Sequence, residues 1–263
     1  QRIEAQMSLF RDDSALVRLN RTGRLASPPR ELRELLVTAR DAARRGDGAF
    51  DPTVQPLWLA FADAQAQGRL PTPAEVAAAR ARVDWRGLSF DADGAIRLAR
   101  PGMGVTLNGI AQGDAADRVR AVLMRHGIAH ALVDAGEYAM VGRNPRGERW
   151  TLGIADPHAR EQLIARLFAD GRCVATSGDD QTSFSADRRH HHIFDPRTGY
   201  SPAGLSGVTV AAPTGALADA LTKVFFVAGP ERARALARHW NVDALWVDKQ
   251  GRWAATPGLA LGA

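Results

Sequence analysis

Residues 208–247, VTVAAPTGALADALTKVFFVAGPERARALARHWNVDALWV, decide the fold of this chain. Short apolar runs at residues 208–211 and 244–247 are typical of buried strands. Between them, apolar residues recur at helical spacing over residues 214–227 and again over residues 231–240, which predicts two helices. This mixture of strands and helices predicts an α+β protein.

The rest of the chain supports the same class. Helical patterns occupy residues 1–10, as the tail of a helix, residues 32–43, ending at Gly46, and residues from Thr72, where Pro73 and Glu75 complete a capping box. Asp91-Ala92-Asp93-Gly94 is typical of a hairpin turn. Further strands are predicted up to Leu107 and at residues 131–134, 150–155, 163–168 and 174–176, with a helix over residues 110–126. We find no repeat or linker in the 263 residues, so one domain with sub-lobes is expected.

Charge and composition exclude some classes of function. The formal net charge is +5, with 34 Lys and Arg against 29 Asp and Glu, but apart from short pairs such as Arg188-Arg189 the basic residues are scattered singly among acidic ones. Aromatic residues do not interleave with them, so we predict no nucleic-acid binding. No apolar run approaches the roughly 20 residues of a membrane helix, which makes the chain peripheral to a membrane at most. Cys173 lies in an apolar run and is interpreted as a packing residue.

The segment Thr106-Leu107-Asn108-Gly109-Ile110-Ala111-Gln112-Gly113 combines a predicted strand end, a tight turn and a helix start. Exposed amides and the positive end of a helix dipole at such a place suit a phosphate group. A structural explanation stays open beside this one, because Gly109 and Gly113 would equally permit a turn and close helix packing.

The segment His192-Ile193-Phe194-Asp195-Pro196-Arg197-Thr198-Gly199 places an imidazole three residues before a carboxylate. Histidine is the usual proton acceptor when a hydroxyl becomes a nucleophile, and a nearby aspartate can fix its tautomer. The same residues would also form an ordinary surface turn. His190 and His192 would share one face of a strand, but two histidines without a third ligand make a poor metal site.

Three other polar positions attract notice. Thr176-Ser177-Gly178 follows an apolar strand and would donate hydroxyls and amides to a ligand or form a plain loop. Asp51, in Gly48-Ala49-Phe50-Asp51, is most simply the N-cap of the helix that contains Trp58. Asp219 lies in an apolar helix, where a bare carboxylate is costly, so something should neutralise it.

Taken together and in this order, these segments resemble the ApbE family of FAD:protein FMN transferases, with some likeness to its NosX-like branch. The resemblance runs from about residue 5 to residue 250. The segments that carry it lie at residues 13–20, 48–58, 108–119, 176–178, 192–199 and 218–221.

The resemblance implies an ApbE-like, T-fold-like α+β domain with FAD bound in a cleft. It implies that FMN is joined to a Thr or Ser hydroxyl of a partner flavoprotein with release of AMP, and that a divalent metal, usually Mg²⁺, touches the pyrophosphate. The implied base is His192, with Asp195 beside it, and the implied metal ligands are the Gly109 carbonyl, Asp219 and Thr222. The implied contacts to FAD are Phe10, Ala49, Phe50, Asp51, Thr106, Gln112, Thr176, Ser177, Gly178 and Ile193.

The chain departs from the family pattern at three places. The family's leading strand and first helix turns are expected before Gln1. Ala135-Gly136-Glu137 stands where Gly-Gly-Asp is usual. Four residues after Asp219, where the family commonly has a Thr metal ligand, the chain has Lys223, one of only two lysines.

An Asp and a Lys at positions i and i+4 share a helix face and can pair. We therefore hypothesise that the Lys223 ammonium lies in or beside the metal site and neutralises Asp219. In the alternative, Lys223 extends to solvent and Thr222 binds the metal.

The resemblance also implies partners and a location. The acceptor would carry an Asp-x-x-Thr/Ser-Gly-Ala-Thr/Ser type of motif, either in a NosR-like flavoprotein or in a subunit of an ion-pumping redox complex, and the location would be periplasmic. Two other functions are kept as alternatives: an FAD-binding assembly factor or flavin reservoir without transfer activity, and an FAD pyrophosphatase in which water replaces the acceptor.

Overall fold

The chain folds into two units in the computed structural model, which describes residues 3–262. The first unit extends to Gly109 and also includes Phe184–Ser201, and the second comprises Ile110–Ser183 and Pro202–Ala263. The expectation of one domain with sub-lobes stays a prediction.

The first unit is mainly helical. Its helices are α1 (Glu4–Met7), α2 (Ala15–Thr22), α3 (Arg30–Arg45), α4 (Gln55–Ala66) and α5 (Pro73–Arg80). A small antiparallel sheet has the strand order β1 (Arg24–Leu25), β3 (Ile96–Leu98) and β2 (Leu88–Phe90). The predicted capping box at Thr72 is present, and the predicted end of a helix at Gly46 is confirmed.

An aromatic cluster forms one core of the first unit. Phe61 on α4 is fully buried, and its ring centre lies 5.1 Å from that of Phe194 and 5.3 Å from that of Phe184. Leu57 and Val76 pack against the same rings. Phe184 and Phe194 flank the histidine segment, so this cluster fixes the backbone on both sides of residues 190–192.

The second unit is built on a six-stranded antiparallel sheet. Its strand order is β11 (Trp253–Ala255), β10 (Asp243–Asp248), β9 (Leu205–Ala212), β8 (Cys173–Gly178), β5 (Tyr138–Val141) and β4 (Ala131–Asp134). A second sheet has the order β12 (Leu261–Gly262), β7 (Ala159–Phe168) and β6 (Thr151–Asp156). The helices of this unit are α6 (Ala111–Arg125), α7 (Gly215–Ala228) and α8 (Pro230–Trp240).

The central strand β9 is buried along its whole length. Helix α7 packs on β8 and β9, while Met140, Leu152, Leu167 and Leu245 belong to the apolar layer between the two sheets. The strand–helix–helix–strand order predicted for residues 208–247 is confirmed, because each predicted element lies within or next to an observed one. Within residues 3–262 no helix is long and apolar enough to cross a membrane.

Several predictions were wrong. No strand leads to Leu107: the Asn20 side chain bonds both the amide and the carbonyl of Val105, at 2.7 and 2.8 Å, in place of a neighbouring strand. Residues 1 and 2 of the predicted first helix lie outside the described residues, and the helix ends at Met7, so Phe10 falls beyond it. His190 and His192 would share one face only in a strand, and this condition is not met, because residues 184–201 consist of turns, bends and irregular backbone around one isolated bridge.

Candidate active site

In the first unit, the Asp51 carboxylate organises the loop before α4. One oxygen accepts hydrogen bonds from the Thr53 amide and hydroxyl, both at 2.7 Å, and the other accepts from the Trp85 amide at 2.9 Å. The predicted N-cap role is therefore wrong, since α4 begins at Gln55 without a side-chain cap. Burial raises the pKa of Asp51, and the Thr53 hydrogen bonds oppose that rise.

The predicted FAD residues of the first unit differ sharply in exposure. Ala49 and Phe50 are buried, whereas Phe10 is 87% exposed. The amide of Thr106 donates to the Pro52 carbonyl at 2.8 Å, so Thr106 and the loop of Asp51 lie next to one another. The structure thus brings Thr106 and Asp51 together within this unit. Gly109, the predicted carbonyl ligand, lies in the turn at which this part of the first unit ends.

The histidine segment is anchored next to His192 through the backbone of His191. Ser201 donates its hydroxyl to the His191 carbonyl at 2.7 Å and accepts from the His191 amide at 2.8 Å. His191 and Ile193 are buried, while His192 between them is half-buried. The backbone is therefore held and the His192 imidazole remains partly accessible, which suits a group that exchanges protons.

Asp195 has a different partner from the one predicted. Its carboxylate forms a two-pronged pair with the Arg197 guanidinium, at 2.9 Å for both bonds, and accepts from the Arg197 amide at 3.0 Å. Its own carbonyl accepts from the Gly199 amide at 2.8 Å, with Gly199 in the left-handed region at φ +81°. Asp195 therefore organises a tight turn, and the prediction that it orients His192 gains no support from this geometry.

In the second unit, the Asp219 carboxylate on α7 is fully buried and neutralised from two sides. One oxygen accepts a hydrogen bond at 3.2 Å from the amide of Gly113, in the first turn of α6. The other oxygen pairs with the Lys223 ammonium, which also donates to the Asp219 carbonyl at 3.2 Å. The predicted i, i+4 pair is confirmed, and the helix dipole of α6 adds to the stabilisation of the carboxylate.

Thr222 is held inside the second unit. It is fully buried, its hydroxyl donates to the Asp219 carbonyl at 2.7 Å, and it lies 2.7 Å from the Ser177 hydroxyl. Ser177 is buried beside it, whereas Thr176 is exposed and its hydroxyl lies 2.9 Å from that of Thr209. The Thr176–Gly178 segment is thus the end of strand β8 with one accessible hydroxyl.

An open cavity of about 580 Å³ lies within the second unit beside this strand end. Its lining includes predicted FAD residues together with polar and apolar side chains of both sheets: Glu137, Arg160, Thr176, Ser177, Gly178 and Leu245. The side chain of Gln112, another predicted FAD residue, lies against Gly136, where a Cβ atom would overlap it. The volume is within the range of small-molecule sites.

Glu137, which the sequence interpretation noted only as a departure from the usual Gly-Gly-Asp, is a further ionisable group beside this site. It is buried, and one carboxylate oxygen accepts from the Thr176 amide at 3.0 Å. Burial, and next the negative charge of Asp219, raise its pKa to about 8, while Lys223 opposes the rise. The sequence shows only that Glu137 directly precedes the strand β5, and its approach to Asp219 depends on how the strand and α7 are placed.

The side chains implied as metal ligands do not fit a divalent cation. Mg²⁺ requires near-octahedral oxygen ligands at about 2.1 Å. Both oxygens of Asp219 already accept from Lys223 and Gly113, and the Thr222 hydroxyl is engaged on two sides. Two unit charges 4 Å apart repel by about 4 kcal/mol at an effective dielectric of about 20, and a divalent ion doubles that value beside an ammonium. Among the described residues, no three His, Cys, Asp or Glu side chains form a metal-binding group.

This chain belongs to the ApbE family, whose sequence model matches residues 1–246. It is 35% identical to an FAD:protein FMN transferase of Treponema pallidum, over 98% of this chain and 77% of that protein. It is 31% identical to the FAD:protein FMN transferase of Salmonella typhimurium, over 93% of this chain and 73% of that protein.

Solved structures agree with this assignment. The ApbE protein of Thermotoga maritima superposes with a TM-score of 0.88 at 28% identity, covering 97% of this chain and 85% of that one. The apo form of the Pseudomonas stutzeri flavinyl transferase ApbE superposes with a TM-score of 0.83 at 31% identity, covering 97% and 82%. The predicted α+β, ApbE-like fold is therefore confirmed.

Proposed function

We propose that this chain is an FAD:protein FMN transferase, which moves the FMN half of FAD to a Thr or Ser hydroxyl of an acceptor flavoprotein. The observation that carries the proposal is the family match over residues 1–246, joined to relatives that bear this name. FAD is the second substrate, and AMP is the other product.

The reaction exchanges the phosphoanhydride bond of FAD for a phosphoester bond to the acceptor. The acceptor oxygen bonds to the phosphorus of the FMN half, and the bond from that phosphorus to the bridging pyrophosphate oxygen breaks. The bridging oxygen leaves with AMP, and the hydroxyl proton passes to a base. Catalysis of such a step needs an in-line approach and neutralisation of charge on the phosphates.

His192 is the proposed base. Its half-buried imidazole lies between two buried residues, of which His191 is anchored by Ser201, so it is accessible while the backbone beside it is held. For FAD, the cavity beside Thr176, Ser177 and Gly178 supports binding by these residues. Gln112, beside Gly136, belongs to the same unit as this cavity. The other FAD contacts are proposed on the resemblance alone: Phe10, Ala49, Phe50, Asp51, Thr106 and Ile193.

The family's magnesium ion has no part in this proposal, because Asp219 and Thr222 do not fit it. For the acceptor, we propose a flavoprotein with an Asp-x-x-Thr/Ser-Gly-Ala-Thr/Ser type of motif, such as a NosR-like protein or a subunit of an ion-pumping redox complex. The proposed location is the periplasm. Both rest on the resemblance to the ApbE family.

Transfer itself tests the proposal. The purified protein is mixed with FAD and an acceptor fragment that carries the motif, and a covalent FMN adduct is sought by in-gel flavin fluorescence and intact mass. We expect an adduct with wild type and a rate at least about 100-fold lower with His192→Ala, as for loss of a general base. The matched control is His126→Ala, since His126 is exposed at the end of α6 and lies in none of the proposed machinery.

Other outcomes separate the alternatives. AMP release that is equally fast without any acceptor would identify an FAD pyrophosphatase. Tight FAD binding with neither adduct nor AMP would identify an assembly factor or flavin reservoir. Full transfer by His192→Ala would remove His192 from the proposed role while leaving the transferase intact.

A further inference from the structure

The pair of Asp219 and Lys223 bears on whether a divalent metal or an ammonium is the cation beside Asp219. The resemblance to the ApbE family implies a Thr metal ligand four residues after the helical Asp. In this chain the same step along α7 brings an ammonium onto the carboxylate. The lysine side chain is only 16% exposed, so the ammonium is held inside the unit rather than extended to solvent.

The neighbouring threonine does not replace the missing ligand. Thr222 points its hydroxyl to the Asp219 carbonyl and the Ser177 hydroxyl, both at 2.7 Å, and is fully buried. A metal ion at Asp219 would need either this hydroxyl to leave two good hydrogen bonds or the Lys223 ammonium to leave its carboxylate. Each change leaves a buried polar group without its partner.

We propose that the Lys223 ammonium is the resident cation of this site, so that FAD binds and FMN is transferred without a divalent metal. An ammonium carries a positive charge and three donors, which suit a phosphate oxygen as well as a carboxylate. Asp219, itself held by the Gly113 amide, positions the ammonium. The inference rests on the proposed function for the identity of the phosphate ligand, but its metal side is independent of transfer.

Two binding measurements test this without any acceptor. Mg²⁺ binding to the full chain is measured by titration calorimetry, and FAD affinity is measured by quenching of flavin fluorescence, in EDTA and in millimolar Mg²⁺. For wild type we expect no Mg²⁺ binding and FAD affinities that agree within about twofold.

The variant Lys223→Thr creates the ligand pattern that the resemblance implies. We expect it to gain Mg²⁺ binding, to lose FAD affinity at least about tenfold in EDTA, and to recover it in Mg²⁺. Lys249→Thr is the matched control, because Lys249 also pairs with a buried aspartate, Asp179, and its loss should create no Mg²⁺ site. Lys223→Arg keeps the positive charge and should bind FAD equally in EDTA and in Mg²⁺, which tests the proposal if Lys223→Thr folds poorly.

The possible results distinguish failure of the role of Lys223 from failure of the proposed transferase. Stoichiometric Mg²⁺ binding by wild type, with FAD affinity at least about tenfold weaker in EDTA, would overturn the role of Lys223. FAD binding that ignores EDTA in wild type and Lys223→Arg, without transfer to any acceptor, would uphold Lys223 and refute the proposed transferase. No FAD binding under either condition would overturn both.

Discussion

Gly113 on α6 lies so close to Gly215 on α7 that a Cβ atom at position 113 would overlap the Gly215 carbonyl oxygen, and the reverse substitution would meet the Gly113 backbone. The two helix starts therefore touch through their backbones. This approach also lets the Gly113 amide reach Asp219. Of the two explanations left open for Gly113, close helix packing is confirmed.

Gly113→Ala should therefore destabilise the protein. The added methyl group forces α6 and α7 apart, and overpacking of this kind costs roughly 2–3 kcal/mol. Urea unfolding measures the change through the midpoint. Ala121→Gly, at an exposed position of the same helix, is the comparison and should cost only about 1 kcal/mol from helix propensity. Equal stability of wild type and Gly113→Ala would show that the helices tolerate a wider separation.

Glu137 should make stability depend on pH. The folded protein keeps this proton up to about pH 8, whereas the unfolded chain releases it near the ordinary value of 4.5. Between these values the folded state binds more protons, so the unfolding free energy falls as the pH rises. Each pKa unit is worth about 1.4 kcal/mol, which sets an upper bound of roughly 5 kcal/mol.

Glu137→Gln tests this directly, because glutamine keeps an oxygen to accept from the Thr176 amide and carries no charge. We expect the variant to lose most of the decline in melting temperature between mildly acidic and mildly alkaline pH, and to exceed wild type at the alkaline end. A wild-type stability that rises through this interval, or an unchanged slope in Glu137→Gln, would show that Glu137 is ionised in the folded protein.

Cys173 should be inert in the folded protein. It is fully buried, and burial, with the Asp117 carboxylate next to it, raises its pKa to about 12. The thiolate is the reactive form, so iodoacetamide should not label the native protein at mildly alkaline pH but should label it in urea. Mass spectrometry counts the label, and rapid native labelling would mean that this part of the sheet opens easily.

Much of the fold was predictable because periodicity and capping are local signals. The α7 helix, the α5 capping box and strand β10 follow from short stretches of sequence. The segment before Leu107 was wrongly predicted to be a strand. The backbone amide and carbonyl of Val105 bond to the side chain of Asn20, 85 residues away, and not to another strand. No local pattern shows that a strand-like apolar run pairs with an amide side chain instead of with another strand.

In the candidate site, too, contacts set by local spacing were predictable and contacts set by tertiary placement were not. The i, i+4 spacing of Asp219 and Lys223 predicted their pair, because helix geometry alone brings such residues together. Glu137 was missed because its proximity to Asp219 and Lys223 depends on how β5 and α7 are placed in the unit. The Arg197 partner of Asp195 was missed for a different reason. His192 precedes Asp195 by three residues and Arg197 follows it by two, so the spacing alone does not decide which side chain reaches the carboxylate.

Substitution of Phe10 should weaken FAD binding and leave the stability of the protein nearly unchanged. Its ring is 87% exposed, so Phe10→Ala should change the unfolding free energy by less than about 0.5 kcal/mol. If the ring contacts FAD, as the resemblance implies, its removal should weaken FAD binding about threefold to tenfold, as for the loss of an aromatic contact worth roughly 0.5–1.5 kcal/mol. Fluorescence quenching and urea unfolding measure the two quantities. Leu70→Ala, an exposed apolar residue of the same unit outside the proposed site, is the control and should change neither. Unchanged FAD affinity in Phe10→Ala would remove this residue from the proposed FAD contacts.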